Sequence, residues 1–278
     1  MKNWKIQFRQ IFGTERPIIG MIHLRPLPGA PHYDPRTGMN AIIHAAMEDA
    51  GRLIEGGIDG IQIENQWDRP FLKADQIGFE TVAAITAVVT HLKKRFDVPM
   101  GINVHLNGVR QALAVAVATG CQWVRAFELA NAYISSAGIM EAAGPQALRY
   151  RSFLKADTRV MIFGDFHVKH GSHQIISDKS LEEQAEDVQT ALADGLIVTG
   201  HKTGSAPTRE DVEWIKQVVQ IPVLIGSGLS LDNLEALYPL VDGAIVGSNF
   251  KIDENLRNPV DLQRVSRFME KVKIIRRA

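Results

Sequence analysis

Glu64, His105, Asp165 and His167 carry the donor types that hold a divalent metal, and the same side chains can move protons without one. A metal at that set would polarise a carbonyl or activate water. No His-x-His or His-Glu-x-x-His spacing accompanies these residues. A hydrogen-bonded network of acids and histidines is therefore the slightly favoured alternative, and a divalent metal stays a candidate cofactor, none being certain. As acid–base groups, Asp165 or Glu64 would take a proton and His23, His105 or His167 would give one. Lys169 and Lys202 close two strand-like runs. An amine there most often pairs with phosphate or carboxylate; desolvated, it can form a Schiff base. Arg125 suits a carboxylate or phosphate clamp, or a pair with Glu128. The candidate catalytic set is Asp165, His167, Glu64, His23 and Lys169, and the candidate metal set is Glu64, His105, Asp165 and His167.

A second group of residues suits an anion. Two buried-strand patterns between Pro222 and Ser248 end in Gly226-Ser227-Gly228 and in Gly247-Ser248. Small residues there expose backbone N–H groups, and a helix start expected at Ser230-Leu231-Asp232 would add its N-terminus. Phosphate is the usual guest of such a cradle. Asn103, His105, Arg125, Thr199 and Lys202 complete the expected substrate-binding set.

What would hold these side chains together is an alternation of strands and helices. Eight strand-like stretches occur, at Pro17–Leu24, Ile58–Asn65, Pro99–Leu106, Trp123–Phe127, Arg159–Lys169, Leu196–His201, Pro222–Gly226 and Gly243–Gly247. Helical patterns lie near Met39–Glu55, Phe79–Phe96, Val109–Thr119, Glu141–Lys155, Leu181–Ala193, Arg209–Val219, Leu231–Leu237 and Val260–Lys273. Eight β-α units imply an α/β fold, a single (β/α)8 TIM barrel over residues 17–278, rather than an open doubly wound sheet. Residues 1–16, with Trp4, Ile6, Phe8, Ile11 and Phe12, form a short N-terminal extension, expected to cover the barrel bottom or, less readily, to make an oligomer contact. Gly56-Gly57, Gly120 and Gly195 read as helix C-caps, and Ser180-Leu181-Glu182-Glu183 as a capping box.

Side chains alternate along a strand. Asp165, His167 and Lys169 share one parity with Met161 and Phe163, opposite the apolar Val160, Ile162, Phe166 and Val168. Asn103 and His105 oppose Ile102, Val104 and Leu106. Gln62 and Glu64 oppose Ile61 and Ile63, and Ile197, Thr199 and His201 oppose Leu196 and Val198. His23 shares parity with Ile19 and Met21. On several strands the polar residues thus gather on the inward parity near the C-terminal end, where barrel enzymes hold their sites. The proline-rich loop Arg25–Pro35 is read as a wall or lid over the mouth, or as a rigid connection. The loop Asn65–Phe71 offers rings to stack on a ring-shaped ligand or merely to close the barrel top.

Bulk composition excludes several classes. Lys plus Arg number 31 against 31 Asp plus Glu, so bulk charge does not draw nucleic acid. Cys121 is the single cysteine, so no internal disulfide forms; it reads as a small buried residue in a reducing compartment, the cytoplasm. No apolar run is long enough for membrane insertion. No P-loop, Gly-x-Ser-x-Gly elbow or cysteine pair occurs. The expected partner is a small phosphorylated metabolite, and a homo-oligomer is an open option.

Several strings together resemble the BtpA family, which includes the SgcQ-type proteins: Gly20-Met21-Ile22-His23-Leu24 with Pro26-Leu27-Pro28-Gly29, Gly60-Ile61-Gln62-Ile63-Glu64-Asn65 with Pro70-Phe71, Gly101-Ile102-Asn103-Val104, His167-Val168-Lys169-His170, and Val198-Thr199-Gly200 with Thr203-Gly204. The resemblance runs from about Pro17 to Val265 and implies a ribulose-phosphate-binding-type barrel. It brings no settled reaction: some members are associated with photosystem I biogenesis, others with sugar utilisation. It supports an enzyme acting on a small phosphorylated sugar or nucleoside-type metabolite, by isomerase, aldolase or hydrolase chemistry. The alternatives are a non-catalytic assembly or stability factor and a sugar-phosphate-sensing module.

Overall fold

The computed structural model describes residues 3–200 and 206–277. Lys202 and His201 lie outside the described residues. Strands β1 (Ile18–His23), β2 (Gly60–Glu64), β3 (Met100–Asn103), β4 (Trp123–Ala126), β7 (Met161–Phe166), β8 (Gly195–Val198), β9 (Val223–Ile225) and β10 (Gly243–Val246) close into one parallel barrel, β10 pairing back onto β1. Around it run α2 (Gly38–Glu55), α3 (Phe79–Arg95), α4 (Val109–Thr119), α5 (Gly144–Phe153), α6 (Leu181–Thr190), α7 (Arg209–Val218), the single turn α8 (Leu234–Leu237) and α9 (Leu262–Arg277). The expected eightfold β/α barrel is the observed fold. Among the described residues no helix is long and apolar enough to cross a membrane.

Two layers of core follow from strand alternation. Outward side chains such as Ile22, Ile61, Ile63, Ile102 and Val124 pack under the helices. Inward, Ile19, Met21, Trp123, Met161, Phe163, Ile197, Leu224 and Ile245 fill the lower barrel. α1 (Trp4–Phe12) plugs the base of this inner cluster with Phe8 and Phe12. Phe8 sits edge-on to both Phe12 and Phe163, with centroids 5.5 and 6.1 Å away. Trp123 fits because β3 offers Gly101: a Cβ there would lie 2.0 Å from the indole nitrogen. That nitrogen donates to Gln62 Oε1 at 2.9 Å, so the large ring is buried with its polar atom satisfied.

Local signals behave as their chemistry predicts, with exceptions. Ser180 and Glu183 close the capping box of α6 reciprocally. Gly120 takes φ 70° after α4. Gly195 does not cap a helix; Leu192 takes the left-handed turn instead, and Gly195 opens β8, where a Cβ would meet the Phe163 ring at 2.9 Å. The helix expected from Leu231 begins only at Leu234. Asn233 holds the preceding residues in a loop, accepting from Ser230 N and donating to Gly228 O.

A hairpin without a sequence signal, β5 (Tyr133–Ser135) and β6 (Gly138–Met140), stands in the loop after β4. Strands of three residues show no useful alternation. Ile134 bridges to Ser172, tying the hairpin to the loop after β7.

Candidate active site

The C-terminal mouth of the barrel encloses a cavity of about 380 Å³. Glu64, at the tip of β2, is its centre of charge. The carboxylate accepts from Asn103 Nδ2 at 2.9 Å on one oxygen. The other faces His23 Nε2 at 3.4 Å and His105 Nε2 at 3.6 Å. The Gln66 amide is best satisfied with its nitrogen 3.1 Å from both Glu64 Oε1 and His105 Nε2, and its oxygen accepting from Arg69 at 2.6 Å. Burial acts to raise the Glu64 carboxyl. The hydrogen bond and charge of His105, with the charges of His23 and Arg125, outweigh it and hold Glu64 below the usual carboxylate range. Burial pushes His23 down to about 4 against the pull of Glu64, so its ring is neutral at pH 7. The Nδ1 atoms of His23 and His105 and the Oδ1 of Asn103 are buried without a hydrogen-bond partner among the described residues.

His105 is held from both sides. Its backbone N–H donates to Asn65 Oδ1 at 2.8 Å. Its ring stacks on Phe71 at 4.4 Å and leans on Phe127 at 4.8 Å. Asn65 donates to Asp68, whose other oxygen accepts from Leu27 N at 2.7 Å. The proline-rich loop is thereby pinned as a rigid connection with Leu27 buried in the core, and it contributes no side chain to the cavity lining. The loop after β2 does line it, through Gln66, Arg69, Pro70 and Phe71.

Arg125 and Asp165 form a two-pronged buried pair, with Nε–Oδ1 2.7 Å and Nη2–Oδ2 2.6 Å. Arg125, not paired with Glu128, thus meets Asp165 from the neighbouring strand. Burial acts to lower the guanidinium, but the Asp165 charge raises it, and the pair stays ionised. Both Asp165 oxygens face Arg125, and only Arg125 of the two reaches the cavity wall. Asp165 therefore stands as the anchor of Arg125 rather than as an open carboxylate.

His167 departs from its expected place. The chain leaves the strand after Phe166, and His167 takes φ 50°, which breaks the alternation. Its ring is exposed and stacks on His173 at 3.9 Å, while Val168, Lys169 and His170 line the cavity. The four residues read as metal ligands are thus not assembled: Asp165 is held by Arg125 and His167 lies outside. Among the described residues no three His, Cys, Asp or Glu side chains converge to hold a metal ion. The donor set does not fit a metal centre.

Lys169 is half-buried on the cavity wall. Burial first, then the Arg125 charge, push its ammonium down to about 8 against the pull of Glu64 and Asp165. Glu128, in the loop after β4, is buried, and burial pushes it up to about 7, with Asp165 adding to the rise and backbone N–H groups opposing it. Tyr133, brought to the wall by the hairpin, is raised by burial and then by Glu128. Neither had a periodic signal in the sequence. Cys121 is buried with its thiol raised by that burial, remote from the cavity lining.

The opposite wall is made by Gly226, Ser227, Gly228 and Leu229 after β9 and by Gly247, Ser248 and Asn249 after β10. A Cβ on Gly226 would lie 2.3 Å from Ile197 Cγ2 and 3.1 Å from Arg125 Nη2. Gly228 takes φ 79°, a turn other residues adopt only with strain. The nearest His23 atom would be 3.3 Å from a Cβ on Gly247, so the glycine tips abut the Glu64 cluster. Thr199 lies beside Gly226, its hydroxyl buried without a partner among the described residues. Any helix-terminus contribution is small, because α8 is one turn and starts beyond the loop.

Solved structures with this architecture include phosphoribosyl anthranilate isomerase from Thermus thermophilus, at TM-score 0.56 and 11% identity over 93% of this chain and 99% of that one. Another is orotidine 5'-monophosphate decarboxylase from Methanocaldococcus jannaschii, at 0.55 and 10% over 92% and 98%. Such low identities speak for the fold alone. Sequence relatives are nearer: a protein of Archaeoglobus fulgidus is 37% identical over 259 residues, 93% of this chain and 99% of its own. The photosystem I biogenesis protein BtpA of Synechocystis is 36% identical over 263 residues, 94% of this chain and 89% of its own. The BtpA family model matches residues 14–274, from the end of the plugging segment through α9, and with these relatives it shows that the chain belongs to the BtpA family.

Proposed function

We propose that this protein is a cytoplasmic enzyme acting on a small phosphorylated sugar or nucleoside-type metabolite. The observation that carries the reading is the two-sided mouth: glycine-rich strand tips face a buried acid–histidine cluster across one cavity of about 380 Å³, a volume suited to a small metabolite. In this reading Gly226–Gly228 and Gly247–Ser248 receive the phosphate, with Arg125 beside them. Glu64, kept anionic, and the neutral His23 exchange protons with the substrate, and Asn103 and Gln66 hold the Glu64 carboxylate in place. The named functions of the structural neighbours, on phosphoribosyl and monophosphate compounds, support the phosphate part by analogy only.

A thermal-shift screen of sugar phosphates and nucleoside monophosphates tests the binding half. A hit should raise the melting temperature of the wild type, and Gly228→Asp, which sets a carboxylate in the cradle, should lose that shift. A screen without hits, or a Gly228→Asp protein that responds like the wild type, overturns the reading. Turnover of the hit separates an enzyme from a sensing module: Glu64→Gln should lower kcat by about 100-fold or more.

A further inference from the structure

We propose that Lys169 is a nucleophilic amine that forms an imine with a carbonyl group of the substrate, which places the reaction among those running through a lysine Schiff base. The inference deepens the reading above and rests on its cavity, but not on its phosphate cradle.

Four observations meet at this residue. Lys169 follows the break at His167 and lines the cavity with Val168 and His170. Among the described residues no carboxylate lies within ion-pair distance of its amine. Glu64 and Asp165 attract the ammonium through space, but both Asp165 oxygens are already bonded to Arg125. Leu106, Phe127, Tyr133 and Val168, all in the same cavity lining as Lys169, pack together as an apolar cluster. A lysine that is partly desolvated, unpaired and beside a guanidinium is poor as a cation and good as a free amine. Its lowered basicity, to about 8, agrees with that geometry.

The chemistry balances without an added reagent. The amine lone pair attacks the carbonyl carbon, and a C–N bond forms as the C=O π pair moves to oxygen. The nitrogen then loses two protons in the course of dehydration. The oxygen gains both and leaves as water, giving the C=N bond. The neutral imine so formed takes up one proton from water, and the protonated imine withdraws electrons from the adjacent bond, as aldol cleavage or a proton shift requires.

The test is reductive labelling of the full-length protein at pH 7.5 with glycolaldehyde phosphate and sodium cyanoborohydride, read by peptide mass mapping. Lys169 should be alkylated at least about tenfold faster than the exposed Lys94 and Lys155, because far more of its amine is unprotonated at that pH. Lys169→Arg should lose the fast-labelled site and keep the slow ones. Labelling of Lys169 at or below the rate of the exposed lysines overturns the proposal, and this holds on wild-type protein whether or not the variant folds. Unphosphorylated glycolaldehyde separates the two readings. If it labels Lys169 as fast as the phosphate ester does, the imine lysine stands and the phosphate cradle fails.

Discussion

Two residues at the mouth illustrate how burial and charge compete. Arg125 and Asp165 are both almost fully buried and satisfy each other through two short hydrogen bonds. Removing one partner strands the other, so Asp165→Ala should cost about 3–5 kcal/mol in chemical denaturation. A loss under about 1 kcal/mol would show that water or another group can replace the carboxylate. Glu128 behaves in the opposite sense, because among the described residues no cation pairs with it to offset its burial. Its folded-state value of about 7 lies above the ordinary carboxylate value. Between roughly pH 4.5 and 7 the folded protein holds a proton that the unfolded chain releases, so this group makes stability fall as pH rises. Glu128→Gln removes that term. Its advantage over wild type should be near zero at pH 4.5 and grow to at most about 3 kcal/mol above pH 7. Equal differences at both pH values would refute the assignment.

At the scale of elements, α1 and the β5–β6 hairpin show how a barrel divides its two ends. α1 closes the bottom with rings that touch Trp123 and Phe163 and has no part in the cavity lining. Phe8→Ala should therefore destabilise by about 3–5 kcal/mol while leaving any ligand-induced shift in melting temperature unchanged. A lost ligand response in a folded Phe8→Ala protein would mean that the two ends are coupled. The hairpin does the reverse. Its Ile134 and Ile139 are exposed, but Tyr133 and Met140 are buried in a small cluster with Phe127 and Val168, and the hairpin carries Tyr133, Ser135 and Ser136 to the mouth.

Over the whole molecule, pairs far apart in the chain lock the ring shut. Lys251 reaches Asp49 at 2.6 Å, and Arg276 clasps Asp59 at 2.5 Å and the Arg16 carbonyl at 2.6 Å. Such a closed unit should unfold cooperatively, and its acid limb should report the buried cluster. His23 is held at about 4, below its ordinary value near 6.5. The unfolded chain takes up that proton first, so the contribution is complete above pH 6.5 and is lost as pH falls toward 4. Glu64, also lowered, adds a further loss below about pH 4.5. Glu128 works against this slope, so the measurement belongs in the Glu128→Gln background. There, His23→Gln should flatten the fall between pH 6.5 and 4; an unchanged slope would place the titration elsewhere.

Alternation of strands and helices was enough to determine the barrel and its strand sequence, and alternation along the strands showed which side chains of β1 to β3 face the axis, because hydrophobic periodicity is a local consequence of backbone geometry. Glu64, Asn103 and His105 were legible as inward polar groups on that basis, and Arg125 as a cation suited to clamp an anion. Partnership was not. That Arg125 takes Asp165 from 40 residues away, that Glu64 gathers Asn103, Gln66 and two histidines, and that Glu128 is left with a burial-raised carboxyl depends on strand register and on the loops at the strand ends. The exchange of His167 for Val168 on the cavity wall, where Lys169 keeps its expected place, has the same origin. One left-handed residue at the strand end reverses the parity, and only the packing of the loop after β7 against the hairpin decides where that residue falls.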